Sequence, residues 1–311
     1  MTSNARKSLP ALVLGTVQLG MPYGIANKNG QPNHEIAEEI VRTALEHGID
    51  EFDTAPGYGE SEAVLGEALR VLNAGGTAKL ITKLDPNLDY LDARAITDAI
   101  QASCVRLGVK KLHGVLLHRE ELLGLWGKGL GRILKDLVSQ GYVDYVGVSV
   151  YTPSIALRAL ELDGLTIIQL PTNILDRRFE SAGVFELAKK KSATVYIRSA
   201  FLQGLLFIDS RQLPETMTFA RPSLELVEEA AGIFELTRQE FAFGYLKLAF
   251  PQAKILFGAE TLDQVETNCR AWQREYPPAL VGYVREHFRD INERIVNPLV
   301  WPRPAQLSKR G

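Results

Sequence analysis

Eight times along the chain, a short run of β-branched and apolar residues is followed by a longer segment of helical period. That alternation allows few architectures. Strands joined by helical crossovers lie parallel, and a parallel sheet has to be covered by helices. The runs predicted as strands are Leu12–Gln18, Ile49–Thr54, Lys79–Lys83, Gly114–His118, Tyr145–Ser149, Thr166–Leu170, Thr194–Arg198 and Lys254–Phe257. Eight βα units in 311 residues predict an α/β fold, a closed (β/α)8 TIM barrel forming a single domain over residues 1–311. A doubly wound open sheet is the competing arrangement. It would place a GxGxxG phosphate cradle after the first strand, and Leu14-Gly15-Thr16-Val17-Gln18 offers none.

Start signals place the helices. Asn33 precedes an apolar face of Ile36, Ile40, Val41 and Ala44, and Thr152-Pro153 puts a proline at a first helical position. Thr237 with Glu240, and Thr261 with Gln264, have capping-box spacing. An extra carboxyl-terminal helix is predicted over Ala279–Ile295, with Val281, Val284, Phe288, Ile291 and Ile295 as its buried stripe.

Composition narrows the partners. With 35 basic against 37 acidic residues and no long run of like charge, the chain has no electrostatic footprint for nucleic acid or an anionic membrane. Cys104 and Cys269 stand far apart in helical patterns, which leaves no disulfide framework or CxxC site and suits a reduced, cytoplasmic setting. The opening MTSNARKSLP reads as a mature amino terminus, and no apolar stretch approaches the roughly 18 residues of a membrane span.

In a barrel of this kind, chemistry gathers at the carboxyl ends of the strands. There the sequence places Asp53, Tyr58 in the loop Pro56-Gly57-Tyr58-Gly59, Lys83 and His118. Singly, each has an ordinary reading: a loop-ordering carboxylate, a rim aromatic, a solvated lysine and a core histidine. Together they suit proton donation. A phenol is a weak acid near neutrality unless a cation such as Lys83 stabilises its anion, with Asp53 keeping the lysine charged and His118 holding the same substrate oxygen.

At these residues the chain resembles the aldo-keto reductase superfamily. GIDEFDTAPGYGESEAVLGEAL, Gly48 to Leu69, resembles the family signature, and LITKL and LLHR supply the lysine and histidine in family order. VGVSVYTP, IIQLPTNILDRR, IRSAFLQGLL and ILFGAETLDQVETN are similar to later family blocks. The resemblance implies the (β/α)8 fold and an extended nicotinamide cofactor, NADP(H) with NAD(H) as the alternative. It makes Tyr58 the general acid, with Lys83 and Asp53 tuning it and His118 orienting the carbonyl. The cofactor positions it implies are Gly15 and Thr16, Ser149 and Gln169 at the carboxamide, Arg198 and Ser199, Gly204 and Leu206 over the pyrophosphate, and Gly258, Ala259, Glu260, Gln264 and Asn268 around the adenosine.

Three departures stand out. Val150 replaces an asparagine common in the family, Arg198 replaces a tyrosine that stacks on the nicotinamide, and His113 replaces an aspartate and is read as structural. Glu260 stands where relatives often carry arginine or lysine, which would disfavour a 2'-phosphate, although Lys254 and Arg270 are near in sequence. The expected activity is hydride transfer between NAD(P)H and a small-molecule carbonyl or alcohol substrate. A nucleotide-binding sensor or accessory subunit without catalysis is the alternative. The histidines lack metal-ligand spacing, and no GxSxG elbow is present. Met21, Tyr23, Gly24, Leu123 to Trp126 and Phe201 to Arg221 are expected to wall the substrate pocket.

Overall fold

β1 (Leu12–Gly15) pairs in parallel with β2 (Glu51–Asp53) on one side and with β8 (Lys254–Gly258) on the other. Between these lie β3 (Lys79–Lys83), β4 (Leu112–Leu117), β5 (Val143–Ser149), β6 (Ile167–Pro171) and β7 (Thr194–Arg198), so eight parallel strands close in sequence order. The computed structural model describes residues 11–301, and the amino-terminal stretch read as a mature end lies outside the described residues. Among the described residues no helix is long and apolar enough to cross a membrane.

The first strand stops at Gly15 rather than Gln18. Thr16 donates its amide to Asp53 O, and the chain then turns into a short helix, Val17–Gly20. The second begins at Glu51, because the Ile49 amide still bonds back to Ala44 O at the end of the preceding helix.

Alternate residues of a strand face opposite sides of the sheet. Inside the barrel Val13, Ile81, Leu116, Ile167, Tyr196 and Leu256 pack as a cluster of their own. Their chain neighbours, among them Leu12, Leu14, Leu80, Val115, Ile168 and Ile255, join the larger core beneath the helices. Gly147 leaves room for this interior, since a Cβ there would fall 2.2 Å from Ile167 O.

Each strand is followed by a helix of the outer layer: α1 (His34–Glu46), α2 (Ser61–Val71), α3 (Ala93–Leu107), α4 (Leu130–Ser139), α5 (Pro153–Ala159), α6 (Val184–Lys190), α7 (Arg238–Ala249) and α8 (Leu262–Gln273), with a further helix, Arg221–Ile233, between β7 and α7. Asn33 caps α1 by accepting from the Ile36 amide, Pro153 begins α5, and both halves of the Thr237–Glu240 capping box form on α7. On α8 Thr261 accepts from the Gln264 amide, but the Gln264 side chain reaches past the cap to accept from the Glu260 amide. The predicted Ala279–Ile295 helix is two pieces, Ala279–His287 and Glu293–Val296. Phe288 leaves helical geometry at φ −105°, ψ 50°, and the Asn292 side chain caps the second piece through the Arg294 amide. An asparagine bonding locally to the backbone competes with helix continuation there.

At the amino-terminal end of the barrel, Glu51 is 1% exposed and accepts from the Tyr196 hydroxyl and from Lys254 Nζ at 2.9 Å. Lys254 is therefore bonded at the end opposite the functional rim. Lys254→Met would leave this buried carboxylate without its cation, and a loss of about 1–3 kcal/mol in urea unfolding is expected. An unfolding midpoint equal to the parent's would contradict this account of Glu51.

Candidate active site

Towards the carboxyl ends of the strands, at or just past the last strand residue, there is one more inward position per strand. These positions are Gly15, Asp53, Lys83, His118, Ser149, Gln169, Arg198 and Gly258. All eight line a single cavity of about 840 Å³, within the range of small-molecule sites. The period-two alternation that fills the barrel interior thus places one chemical group per strand at its mouth.

Lys83 and Asp53 are 2% and 4% exposed, and Lys83 Nζ donates to Asp53 Oδ1 at 2.7 Å and to Thr54 O at 2.9 Å. The other Asp53 oxygen accepts from Gln169 Nε2 at 2.8 Å. Burial pulls the lysine towards neutrality, but Asp53 and Tyr58 outweigh it, and the ammonium is held above its ordinary pKa. The Gln169 amide is thus committed to the ion pair.

Tyr58 stands over this pair, with Lys83 Nζ 4.8 Å from its ring centroid. Its loop is set by close backbone packing. A Cβ on Gly20 would lie 1.9 Å from Tyr58 O, and Gly59, at φ +58°, lies against Gly20 O. Ser61 locks the turn by donating to Thr16 O at 2.7 Å. Burial pushes the Tyr58 phenol above its ordinary value, and the Lys83 charge is the strongest influence pulling it back. The His118 ring meets that of Tyr58 edge-on at 6.0 Å. Burial, and then the Lys83 charge, lower His118 to about 4, so the ring is neutral at pH 7 and serves as a hydrogen-bonding group.

Arg198 stacks on Tyr151, with Cζ 4.0 Å from the ring centroid. Tyr151 is fixed from outside the barrel, because Glu120 accepts from the Tyr151 amide at 2.6 Å and from the Thr152 hydroxyl at 2.6 Å. Immediately after Arg198 the chain turns sharply at Ser199, whose φ is +61°. The loop that follows meets the loop after β1. Ile25 donates to Gln203 O at 2.9 Å, and Gly204, at φ +88°, sits where a Cβ would be 2.7 Å from that of Ala26.

On the β1–β8 side the inward positions are glycines, and the Gln18 side chain packs against the second of them. A Cβ on Gly258 would fall within 2.6 Å of the Gln18 amide group, and Gln18 Oε1 is buried without a partner. The cavity continues from there to the amino terminus of α8, past Glu260, Gln264 and Asn268. This extended shape, with glycines, an unpartnered acceptor and a helix start along one wall, fits a dinucleotide.

Thr16, Ser199 and Gly204 also line the cavity, whereas Leu206 and Ala259, 0% and 2% exposed, pack beneath its wall. The Thr16 hydroxyl is spent on Asp53 O and Ser61, and Asn268 bonds Gln239 and Gln264 O. Tyr23, Gly24 and part of the Phe201–Arg221 segment form the cavity wall. Trp126 turns inward instead, against Gly131, and Met21 lies off the cavity. His113 sits at the opposite end, its ring 5.1 Å from that of Tyr145. No local pattern marks Gln18 or Tyr151 as site residues: the apolar run carries Gln18 into a predicted strand, and Tyr151 takes its importance from Arg198, far away in sequence. Among the described residues, no group of three His, Cys, Asp or Glu side chains is placed to hold a metal ion.

The sequence model described as "Aldo/keto reductase family" matches residues 11–289. The chain is 26% identical over 225 residues to the NADH-specific methylglyoxal reductase of Escherichia coli (strain K12), an alignment covering 64% of this chain and 66% of that protein's length. Among solved structures, an aldo-keto reductase from Bacillus halodurans in its holo form superimposes with a TM-score of 0.74 at 22% identity, covering 92% of this chain and 95% of that one. An aldo/keto reductase from Klebsiella pneumoniae, in complex with NADP and acetate, gives 0.69 at 22% identity, over 91% of this chain and 94% of that one.

The His118 environment makes a direct prediction. Because burial and the lysine charge disfavour the imidazolium, more acid is needed to protonate it. An NMR titration should show the His118 ring flat from pH 8 to 6, with its midpoint near 4. A midpoint near 6.5 would mean that the ring is solvated and lies away from Lys83.

Proposed function

Since the chain belongs to the aldo/keto reductase family, we propose that it reduces the carbonyl of an aldehyde or ketone with NAD(P)H, Tyr58 donating the proton. The observation that carries this reading is the buried, fully bonded Asp53–Lys83 pair beneath the Tyr58 ring. A site that only bound nucleotide would have no use for a buried cation directed at a phenol.

When bound, the reduced nicotinamide supplies the hydride. Tyr58 holds the proton that passes to the carbonyl oxygen, and Lys83 stabilises the phenolate left behind. Asp53 keeps Lys83 charged, and Gln169 and Thr54 O fix the pair's geometry. Neutral His118, edge-on to the Tyr58 ring, donates a hydrogen bond to the same oxygen. This localises the developing negative charge without adding a competing acid.

Ser149 is assigned to the nicotinamide carboxamide, together with the free oxygen of Gln169. Gly15, Thr16 and Gly258 give the backbone close approach to the dinucleotide, and Ser199 and Gly204 carry the loop across its pyrophosphate. The start of α8, with Gln264 and Asn268, takes the adenosine end. Glu260 and Asp263 both border that end of the cavity. They would repel the extra phosphate of NADP(H) and tolerate the free hydroxyl of NAD(H). Among the described residues Lys254 is committed to Glu51, and the exposed Arg270 bonds Thr267. The K12 relative is named for NADH and the Klebsiella structure holds NADP.

Tyr58→Phe is expected to lower turnover of an activated aldehyde by about 100- to 10,000-fold, with nucleotide affinity within a factor of about two. Turnover near that of the parent would assign the proton to another acid. In alcohol oxidation, where the phenol must first ionise, Lys83→Met should move the alkaline limb of the pH profile upward, because a cation that lowers the phenol pKa is gone. An unmoved profile would contradict the role of Lys83.

Glu260→Arg should tighten NADPH binding by about 1–3 kcal/mol in a fluorescence titration while changing NADH little. Equal affinities before and after would mean that this side chain does not face the ribose.

A further inference from the structure

In the inward layer at the cavity mouth, Asp53 and Lys83 neutralise each other and His118 is uncharged. Arg198 is different. A guanidinium carries five N–H donors. The protein gives this one Val150 O at 3.2 Å and Ser199 Oγ at 3.5 Å, the second at the long limit of a hydrogen bond. Its Nε is buried with no partner, and no carboxylate pairs with it among the described residues. Its charge is felt at Tyr58, His118 and Tyr23, which sets it beside the carbonyl end of the cavity and not the adenosine end.

Arg198 is half-buried, but a buried N–H donor left without a partner, as its Nε is, costs free energy unless something completes it. The family's usual tyrosine at this position would carry no charge, so stacking alone does not account for a guanidinium. Stacking is also half occupied, since the Tyr151 ring covers one face. The planar fork matches a carboxylate. Tyr23 and Tyr151 both add aromatic surface to the wall of the same cavity.

We propose that Arg198 anchors a carboxylate on the substrate, so that this site takes carbonyl compounds bearing an anionic carboxylate in preference to neutral ones. This rests on the carbonyl-reducing reading above and specifies its substrate class. Arg198 acts as a specificity residue, fixing the substrate by its acid group while Tyr58 and His118 address the carbonyl. Lys28, exposed in the lining of the same cavity, and Arg119, whose charge reaches His118, are further cations near the site.

Two pairs of probes separate the possibilities. Turnover is measured with 4-carboxybenzaldehyde and its neutral methyl ester. Binding is measured calorimetrically with 4-methylbenzoate and 4-methylbenzamide, neither of which can be reduced, with oxidised nucleotide present. The parent protein should favour the carboxylate in both pairs by about 10- to 100-fold, the contribution of one charge-assisted pair. Arg198→Met should abolish that ratio, whatever it does to the absolute rate. Arg198→Lys should restore part of it, and Lys28→Met should leave it in place.

Added salt gives a check on the parent protein alone: it should raise KM for the acid and not for the ester. Equal handling of acid and ester by the parent, with the ester turned over, would overturn the carboxylate assignment and leave carbonyl reduction standing. Loss of the ratio in Lys28→Met, with retention in Arg198→Met, would also overturn it. Failure to reduce either aldehyde would sink the reductase reading, and the substrate class with it.

Discussion

The ion pair between Asp53 and Lys83 is the interaction on which the rest of the site depends. Withdrawing a carboxylate and an ammonium from water costs several kcal/mol per ion, and the cost is recovered only with good geometry and satisfied lone pairs. Here both conditions hold. One Asp53 oxygen takes the lysine and the other takes the Gln169 amide, while a second lysine proton goes to Thr54 O. The pair couples β2 to β3 directly and reaches β6 through Gln169. A buried, charged ammonium follows; it is the strongest influence pulling the Tyr58 phenol back against burial, and it adds to burial in keeping His118 neutral.

The barrel makes such a pair possible. In adjacent strands the inward positions stand side by side, as the pairing of Gly15 with Asp53 and with Gly258 illustrates. Two residues lower, six of the eight rows carry the side chains of the inner cluster, which form the floor of the site. The hydroxyl of Tyr196, one member of that cluster, joins Glu51 and Lys254 in another polar group at the far end. Both polar groups draw on β2, whose Glu51 and Asp53 are two residues apart and point the same way, with Phe52 between them facing the helices. One three-residue strand therefore supplies the buried carboxylate at each end of the barrel.

Much of this was legible in the sequence because two periods are written there. The alternation of short apolar runs with helical segments specifies the barrel, and in six of the eight runs the last inward residue lines the cavity. Asp53, Lys83 and His118 were readable for that reason, and Tyr58 because it lies in the loop that follows Asp53. What stayed hidden depends on three-dimensional contact. Gln18 was assigned to a strand because its apolar neighbours continue the pattern, yet the Thr16 amide bond to Asp53 O ends that strand. Trp126 was a fair candidate for a pocket wall until Gly131 gave it a place to turn inward. Phe288 kept the helical apolar period, but its backbone breaks because the Asn292 side chain starts a new helix. The Gln264 side chain passes over its expected cap for a neighbouring amide that no local pattern distinguishes.

The central claim is that Lys83 is a charged group in a dry place, held so by Asp53. Heteronuclear NMR of the Lys83 side-chain nitrogen, followed from pH 6 to pH 10, reads this directly. The account predicts an ammonium signal with a constant chemical shift across that range, slow to exchange its protons and lost in Asp53→Asn, since the carboxylate outweighs burial in setting the lysine's charge. A Lys83 nitrogen that titrates to the neutral amine below pH 8 in the parent protein would contradict it.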